Sequence, residues 1–249
     1  MERITSRKNP LVVHMKKLGS SRAYRDEHRE FICDGIKLLN EAVRNGARIT
    51  TVLTASETPL NLPYDVRVFL AERELIDYVS PLKNAQDVLF ACEMPPNCVF
   101  DNADGTHILL DGIQDPGNLG TIIRTANAFG ITSVMLMDGC ADVYNPKTIR
   151  ASMGAVFRQR VCHIDMQELR EIAAGGAEII GAALSGDSVD ISDVRLTNAI
   201  IAIGSEGQGL SDEVLSLCGK KIVIPISPEC ESLNAAVAAG IIMWQAGKG

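Results

Sequence analysis

No stretch of this chain approaches the roughly 18 uninterrupted apolar residues that a membrane-spanning helix needs, although hydrophobic residues fill 46% of its 249 positions. The first residues are polar and basic, without the apolar core of a secretory signal. None of the seven cysteines (Cys33, Cys92, Cys98, Cys140, Cys162, Cys218, Cys230) forms a C-x-x-C pair, and the four histidines do not cluster with them. A zinc site, or any other metal site, is therefore not expected, and reduced thiols in a cytoplasmic protein are. The phosphate loop GxxxxGK[ST] is missing, and Gly204–Gly209 is spaced GxxGxG rather than the dinucleotide GxGxxG. Phosphoryl transfer from ATP and hydride transfer with NAD both lose support. There is no internal repeat and no low-complexity tract. What is left is a globular chain long enough for one large domain or two smaller ones.

The net charge of −7 argues against an acidic partner, but the average conceals an asymmetry. Residues 1–29 carry eight basic residues (Arg3, Arg7, Lys8, Lys16, Lys17, Arg22, Arg25, Arg29) against three acidic ones, a balance of +5 that leaves −12 for the rest. A basic arm on an acidic body is either a solvated helix face or a phosphate-contacting surface.

In chain order, residues 1–30 read as helical and Ile36–Asn45 as a second helix stopped by Gly46. Ile49–Thr54 and Val66–Leu70 read as strands, Asn61–Tyr64 as a turn, Glu72–Val79 as a short helix and Val88–Cys92 as a last strand. This makes a small α/β domain over 1–98. Breaker clusters at Met94–Asn97 and Asn102–Gly105 predict a linker at about 93–106. From 107 to 249 a clean strand–helix alternation predicts a second α/β domain with a mostly parallel sheet. Its strands are His107–Ile113, Ser133–Met137, Glu178–Leu184, Ala199–Ile203 and Lys221–Ile226. Its helices are Leu119–Phe129, Pro146–Phe157 capped by Asn145, and one that Ser232 can cap.

The two last strands each run into a Gly/Ser/Pro-rich turn. The first carries a lone carboxylate, Glu206, between Ser205 and Gly207; the second ends in Glu231-Ser232-Leu233-Asn234. Ligands of α/β proteins bind where loops leave the carboxyl ends of strands, so these turns are the first place to look for a site. In the helix Leu119–Phe129 the residues Leu119, Ile122, Ile123, Ala126 and Phe129 share one face, with Arg124 nearly opposite. Asn118 at the preceding turn and Arg124 can flank an anion, or can be an N-cap and a surface arginine.

Taken together, Asp115-Pro116-Gly117-Asn118-Leu119-Gly120 with Arg124-Thr125, then Ile203-Gly204-Ser205-Glu206-Gly207, then Ile224-Pro225-Ile226 with Ser232-Leu233-Asn234-Ala235 resemble the three signature motifs of the SpoU (TrmH) family of RNA 2′-O-ribose methyltransferases. Order and spacing agree over 108–244, and Lys147 with Arg150–Ala155 fits the same pattern. The first hundred residues resemble the ribosomal-protein-like RNA-binding domain that precedes many catalytic domains of this family, through Phe31, Gly35 and Glu41-Ala42. Ser227-Pro228-Glu229-Cys230 departs from the family's usual Gly-containing loop, which leaves that loop's contacts open.

The resemblance implies a sheet with a C-terminal deep trefoil knot, an exception to the rule against threaded chains, and a homodimer. It implies S-adenosylmethionine held by Leu184, Ser185, Gly186, Gly204, Glu206, Gly207, Ile224, Ile226, Ser232, Leu233 and Ala235. Asn118, Arg124, Glu206, Ser232 and Asn234 would be the active-site side chains. A guanidinium stays protonated at ordinary pH, so Arg124 is expected to hold the RNA phosphate and steady the developing alkoxide, with phosphate or water taking the proton. Asn118, Ser232 and Asn234 would orient it and the ribose, and Glu206 would fix the arginine or the loop. Arg7, Lys8, Lys16, Lys17, Arg22, Arg25, Arg29 and Arg150 are the expected RNA contacts. Large-subunit (23S-type) ribosomal RNA is the favoured substrate and transfer RNA the alternative. The competing readings are a non-catalytic RNA-binding factor on the same fold and a dehydrogenase-like Rossmann enzyme.

Overall fold

The structure is a computed structural model, and it describes residues 2–56, 62–63, 65–100 and 104–247. Both ends of the expected turn Asn61–Tyr64, and Asn102-Ala103 of the second breaker cluster, lie outside the described residues. The contacts divide the chain into two compact units, Met1–Pro96 with Asp142–Phe157, and Asn97–Ala141 with Arg158–Gly249.

The first unit opens with strand β1 (Glu2–Ile4), helices α1 (Pro10–Ser20) and α2 (Arg22–His28), strand β2 (Glu30–Asp34) and helix α3 (Ile36–Arg44). Strands β3 (Ile49–Thr54) and β4 (Arg67–Ala71), helix α4 (Arg73–Val79) and strand β5 (Val88–Glu93) follow. The single helix expected over 1–30 is thus a strand and two helices. Asn9 caps α1 at Leu11 with Pro10 in its first turn, while extended Ser21 interrupts it and caps α2 at Tyr24. The five-stranded sheet runs β1-β4-β3-β5-β2, parallel among β1, β4 and β3 and antiparallel at β5. One core cluster gathers Val12, Met15, Leu18, Ile32 and Leu89; the other gathers Phe31, Leu39, Val52 and Phe90. Burial pushes the Asp34 carboxyl up, against the opposing pull of hydrogen bonds from Ser80 and Gln86.

The second cluster also holds Ile149, with Tyr144, Val156 and Phe157 packed against it. These residues flank or belong to helix α6 (Pro146–Ser152), which follows helix α5 (Pro116–Ala128) and strand β7 (Ser133–Leu136) in the chain. A division at one linker would put this segment with the C-terminal half of the chain; its packing puts it in the first unit. Arg25 is central to that packing. It is 3% exposed, with Nη2 at 2.5 Å and Nε at 3.1 Å from Asp142 Oδ2, and Nη1 donates to the Leu18 carbonyl at 2.7 Å. Arg25 therefore leaves the set of expected RNA contacts. Removing one partner of such a buried pair costs about 3–5 kcal/mol. Arg25→Ala is expected to lower unfolding free energy by that amount in urea titration; a loss below about 1 kcal/mol would mean that the pair is not holding the segment.

The second unit contains β6 (His107–Asp111), α5 (Pro116–Ala128), β7 (Ser133–Leu136), β8 (Val161–His163), α7 (Met166–Ala174), β9 (Ile179–Ala182), β10 (Val189–Asp190), β11 (Ile200–Gly204), α8 (Asp212–Leu217), β12 (Lys220–Val223) and α9 (Ala235–Ala246). Its seven strands run β10-β12-β9-β11-β6-β7-β8, and every pair is parallel. Ile108–Leu110 and Ile200–Ile203 are buried throughout, as strands covered on both faces require. All carboxyl ends of a parallel sheet lie on one edge, so the loops after β6, β9, β11 and β12 open on the same side. Among the described residues, Cys98 and Cys162 form a disulfide, which corrects the expectation of seven reduced thiols. The two lie 64 residues apart, and no local spacing announces the pair.

Candidate active site

Helix α5 begins three residues earlier than the periodicity predicts. Asp115, not Asn118, is its N-cap: the Asp115 carboxylate accepts from the Asn118 backbone N–H at 2.8 Å, and Pro116 fits the first turn because it has no N–H to satisfy. Asn118 thus sits inside the first turn with its side-chain amide free for another partner. Leu119, Ile122, Ile123 and Ala126 are buried as expected, whereas Phe129 is the C-cap and is 39% exposed.

At the end of β11, Gly204 pairs with Asp111, and Ser205 and Gly209 close a tight turn by exchanging backbone hydrogen bonds of 3.2 and 2.9 Å. A Cβ on Gly204 would lie 2.0 Å from the Gly209 carbonyl carbon, so this position accepts only glycine. Gly209 has a φ of +68°, which bends the chain back. Ser211 N–H then bonds Asp111 Oδ2 at 2.7 Å, tying the turn to the end of β6. The consequence is a rigid base from which Glu206 projects.

Glu206 Oε1 gathers the three motifs. It accepts from Asn118 Nδ2 at 2.5 Å, from the Ala235 backbone N–H at 3.2 Å and from Asn234 Nδ2 at 3.5 Å. Asn234 Nδ2 also donates to Asn118 Oδ1 at 3.1 Å. Asn234 Oδ1 accepts from the N–H groups of Ala236 and Val237, so Asn234, rather than Ser232, caps α9. Glu206 therefore fixes the two asparagines and the start of α9, not Arg124.

Beside this network is a cleft of about 420 Å³ between the loops after β9, β11 and β12. Leu184, Gly204, Glu206, Ile224, Ile226, Ser232, Leu233 and Ala235, all expected to hold the cofactor, line it. Ser185, Gly186 and Gly207 do not: the Ser185 hydroxyl bonds Asp187 and Ser188 within its own loop. Ala183, Ile203, Ile222 and Ile242 line it without having been expected. They lie at strand ends or inside α9, where a sequence pattern marks burial and not a wall. Apolar side chains beside strand-end backbone amides, with the carboxylates of Glu206 and Glu231, suit a flat heteroaromatic ligand that carries a positive charge.

Arg124 is exposed, makes no hydrogen bond or ion pair among the described residues, and does not line the cleft. Another cleft, of about 560 Å³, lies beside β10, α8 and β12. Two of its lysines are paired, Lys220 with Glu178 at 2.6 Å and Lys221 with Asp187 at 3.0 Å, and the Ser185 hydroxyl followed by Lys221 holds Asp187 below the usual carboxylate range. Burial pushes the Cys218 thiol there up to about 11, so it stays protonated. Nothing in it gathers motifs from separate loops as the first cleft does. Among the described residues no group of His, Cys, Asp and Glu could hold a metal ion, and no helix is long and apolar enough to cross a membrane.

Residues 105–244 match the SpoU rRNA Methylase family, and residues 9–89 match the MRM3-like substrate binding domain. The chain belongs to the SpoU rRNA methylase family. Among its relatives, a 23S rRNA (guanosine(2553)-2′-O)-methyltransferase of Bacillus subtilis is 31% identical over 248 residues, covering 98% of each chain. An rRNA methyltransferase of Sinorhizobium meliloti, solved with AdoMet bound, superposes with a TM-score of 0.89 at 28% identity, over 99% of this chain and 97% of that one. The SpoU methyltransferase AviRb of Streptomyces viridochromogenes, solved with the cofactor AdoMet, gives 0.86 at 26% identity, over 97% and 98%. For a SpoU methylase, the cluster of Asn118, Glu206 and Asn234 beside the cleft joins all three signature motifs at one place.

Proposed function

We propose that this SpoU methylase transfers a methyl group from S-adenosylmethionine to a ribose 2′-hydroxyl of large-subunit ribosomal RNA. The observation that carries the reading is Glu206 Oε1, which bonds groups from the first and third motifs at the mouth of the cleft. The relatives that act on 23S ribosomal RNA support this substrate over transfer RNA. The cleft fits the cofactor by its chemistry: Ile203, Ile222 and Ile242 offer apolar wall, the ends of β11 and β12 offer backbone donors and acceptors, and Glu206 offers charge complementary to a sulfonium. When bound, S-adenosylmethionine supplies an electrophilic methyl group.

Methyl transfer is an in-line displacement, so the chain's main contribution is aim. Asn118 and Asn234, locked to each other and to Glu206, present polar groups to the sugar. The rigid turn from Gly204 to Gly209 keeps that geometry while RNA enters. Arg124 holds the neighbouring phosphate and steadies the oxyanion; the proton leaves to phosphate or water, because a guanidinium does not accept it.

Arg124 reaches its site, in this reading, across a homodimer. Helix α9 is apolar all round, and such a helix needs cover on every side. It packs on α5 within the chain, yet Val237 and Trp244 remain about half exposed, with Phe129 of α5 also exposed. A second copy covering this surface would bring its own Arg124. A knot formed by the C-terminal segment belongs to the same proposal. It is supported by β12 lying beyond β9 in the sheet while α9 returns to α5. We place the dimer in the cytoplasm with the ribosomal RNA.

The test is a map of ribose methylation in ribosomal RNA from cells with and without the gene. One large-subunit ribose methyl group is expected to disappear with the gene and return with the wild-type chain. An unchanged map of that RNA, with a methyl lost from transfer RNA, would move the substrate; no change in either would reject the activity.

A further inference from the structure

The basic arm of residues 1–29 is not uniform. Arg3 is paired with Glu72 at 3.1 Å, Arg22 with Asp26 at 3.7 Å and Arg25 with buried Asp142, while Arg29 donates to the Pro95 carbonyl at 2.9 Å. Arg7, Lys16 and Lys17 have no carboxylate partner among the described residues. Each is instead held against an aromatic ring. The Arg7 guanidinium carbon is 4.7 Å and the Lys16 ammonium 5.0 Å from the centre of Tyr78, and the Lys17 ammonium is 5.1 Å from the centre of Tyr24. These are the cation–π pairs found among the described residues, and in all of them the cation lies on α1 or in the segment just before it.

The arrangement has a physical meaning. An ion pair with a carboxylate cancels a cation's field at a distance, whereas a neutral ring orders the cation and leaves its net charge uncancelled. Lys16 is held further by a 2.5 Å hydrogen bond to the Tyr78 carbonyl, which fixes the end of α4 beside α1. Tyr78 is 37% exposed in a chain with few aromatics, so its place between two cations is not a by-product of core packing. Tyr24 is held in turn, its hydroxyl 3.0 Å from His14 Nδ1 and its ring stacked on His28 at 3.8 Å. Three ordered, unneutralised cations on and just before one helix offer charge to the phosphates of a nucleic-acid backbone.

We propose that Arg7, Lys16 and Lys17 form a strip that grips the phosphodiester backbone of the substrate RNA, with Tyr78 and Tyr24 as positioning residues that hold the cations in register. This rests on the reading of the substrate as RNA and names where its backbone is held. It also separates binding cations from structural ones in an arm whose sequence makes them look alike.

The test uses the full-length protein and a fluorescein-labelled RNA hairpin, titrated by anisotropy over a series of KCl concentrations. Each phosphate contact contributes about 0.7–0.9 to the slope of log affinity against log salt. The variant with Arg7→Gln, Lys16→Gln and Lys17→Gln is expected to lose about 2–3 from that slope. Arg48→Gln, which removes the same charge from an arginine paired with Glu93 at 3.1 Å, leaves the slope unchanged. Tyr78→Leu weakens binding about fivefold and lowers the slope, and Tyr78→Phe, which keeps the ring, restores both. A wild-type circular-dichroism spectrum and urea unfolding curve show that each variant folds, and Arg7→Gln alone replaces the triple variant if that one does not. A triple variant with the wild-type slope, an Arg48→Gln loss equal to that of Arg7→Gln, or a Tyr78→Phe as weak as Tyr78→Leu would overturn the proposal while leaving the RNA reading intact. Wild-type protein without salt-dependent RNA binding would sink both.

Discussion

Glu206→Ala is expected to weaken S-adenosylmethionine binding by about 100-fold and to remove methyl transfer. The magnitude follows from what one oxygen does. Glu206 Oε1 accepts from Asn118 Nδ2, Asn234 Nδ2 and the part-buried Ala235 N–H. Hydrogen bonds to a charged acceptor are worth about 1.5–3 kcal/mol each, and a loss of about 3 kcal/mol is roughly 100-fold. The residue also lines the cleft, so a ligand's positive charge loses its counter-charge with it. Glu206→Gln keeps an accepting oxygen without the charge and is expected to fall between, about tenfold down. Isothermal titration with the cofactor measures both. Normal affinity in Glu206→Ala would show that the network is ornamental to binding and that the cleft holds its ligand without it.

Arg124→Ala is expected to behave in the opposite way, losing about 10²–10³-fold in turnover while cofactor affinity stays near normal. Its side chain touches neither the cleft nor the network in its own chain. A mixture with Glu206→Ala subunits distinguishes how it acts. In a mixed dimer whose sites combine an arginine from one copy with a cleft from the other, one site of the two is intact. Random mixing in equal amounts then returns about a quarter of wild-type activity by symmetry. Were Arg124 to serve the cleft of its own chain, both sites of the mixed dimer would be dead and nothing would return.

Much of the site could be read in the sequence because each motif is local. Gly204, Glu206 and Gly207 stand side by side, and only glycine fits where Gly204 meets Gly209. The cap assignments were less secure, since Asp115 and Asn118, or Ser232 and Asn234, are all good caps in isolation. Tertiary partners decide between them: Asn118 is released to Glu206 because Asp115 already holds its N–H, and Asn234 can both cap α9 and reach Asn118. Charge counting misplaces Arg25 for a related reason. Its partner Asp142 lies 117 residues away, and a charge count cannot register a pairing at that distance. The same holds for Asp142–Phe157, where Asp138-Gly139 and Asn145-Pro146 read as ordinary turns and only the packing of Ile149, Tyr144, Val156 and Phe157 shows the crossing into the first unit.

The most direct test of the central claim is the chemical location of the transferred methyl group. Large-subunit ribosomal RNA from cells lacking the gene, incubated with the protein and tritiated S-adenosylmethionine, is hydrolysed in alkali, which cleaves only beside a free 2′-hydroxyl. The account predicts radioactivity in an alkali-resistant dinucleotide, because a methylated 2′-oxygen cannot attack its phosphate. Radioactivity confined to mononucleotides would place the methyl on a base and contradict the account.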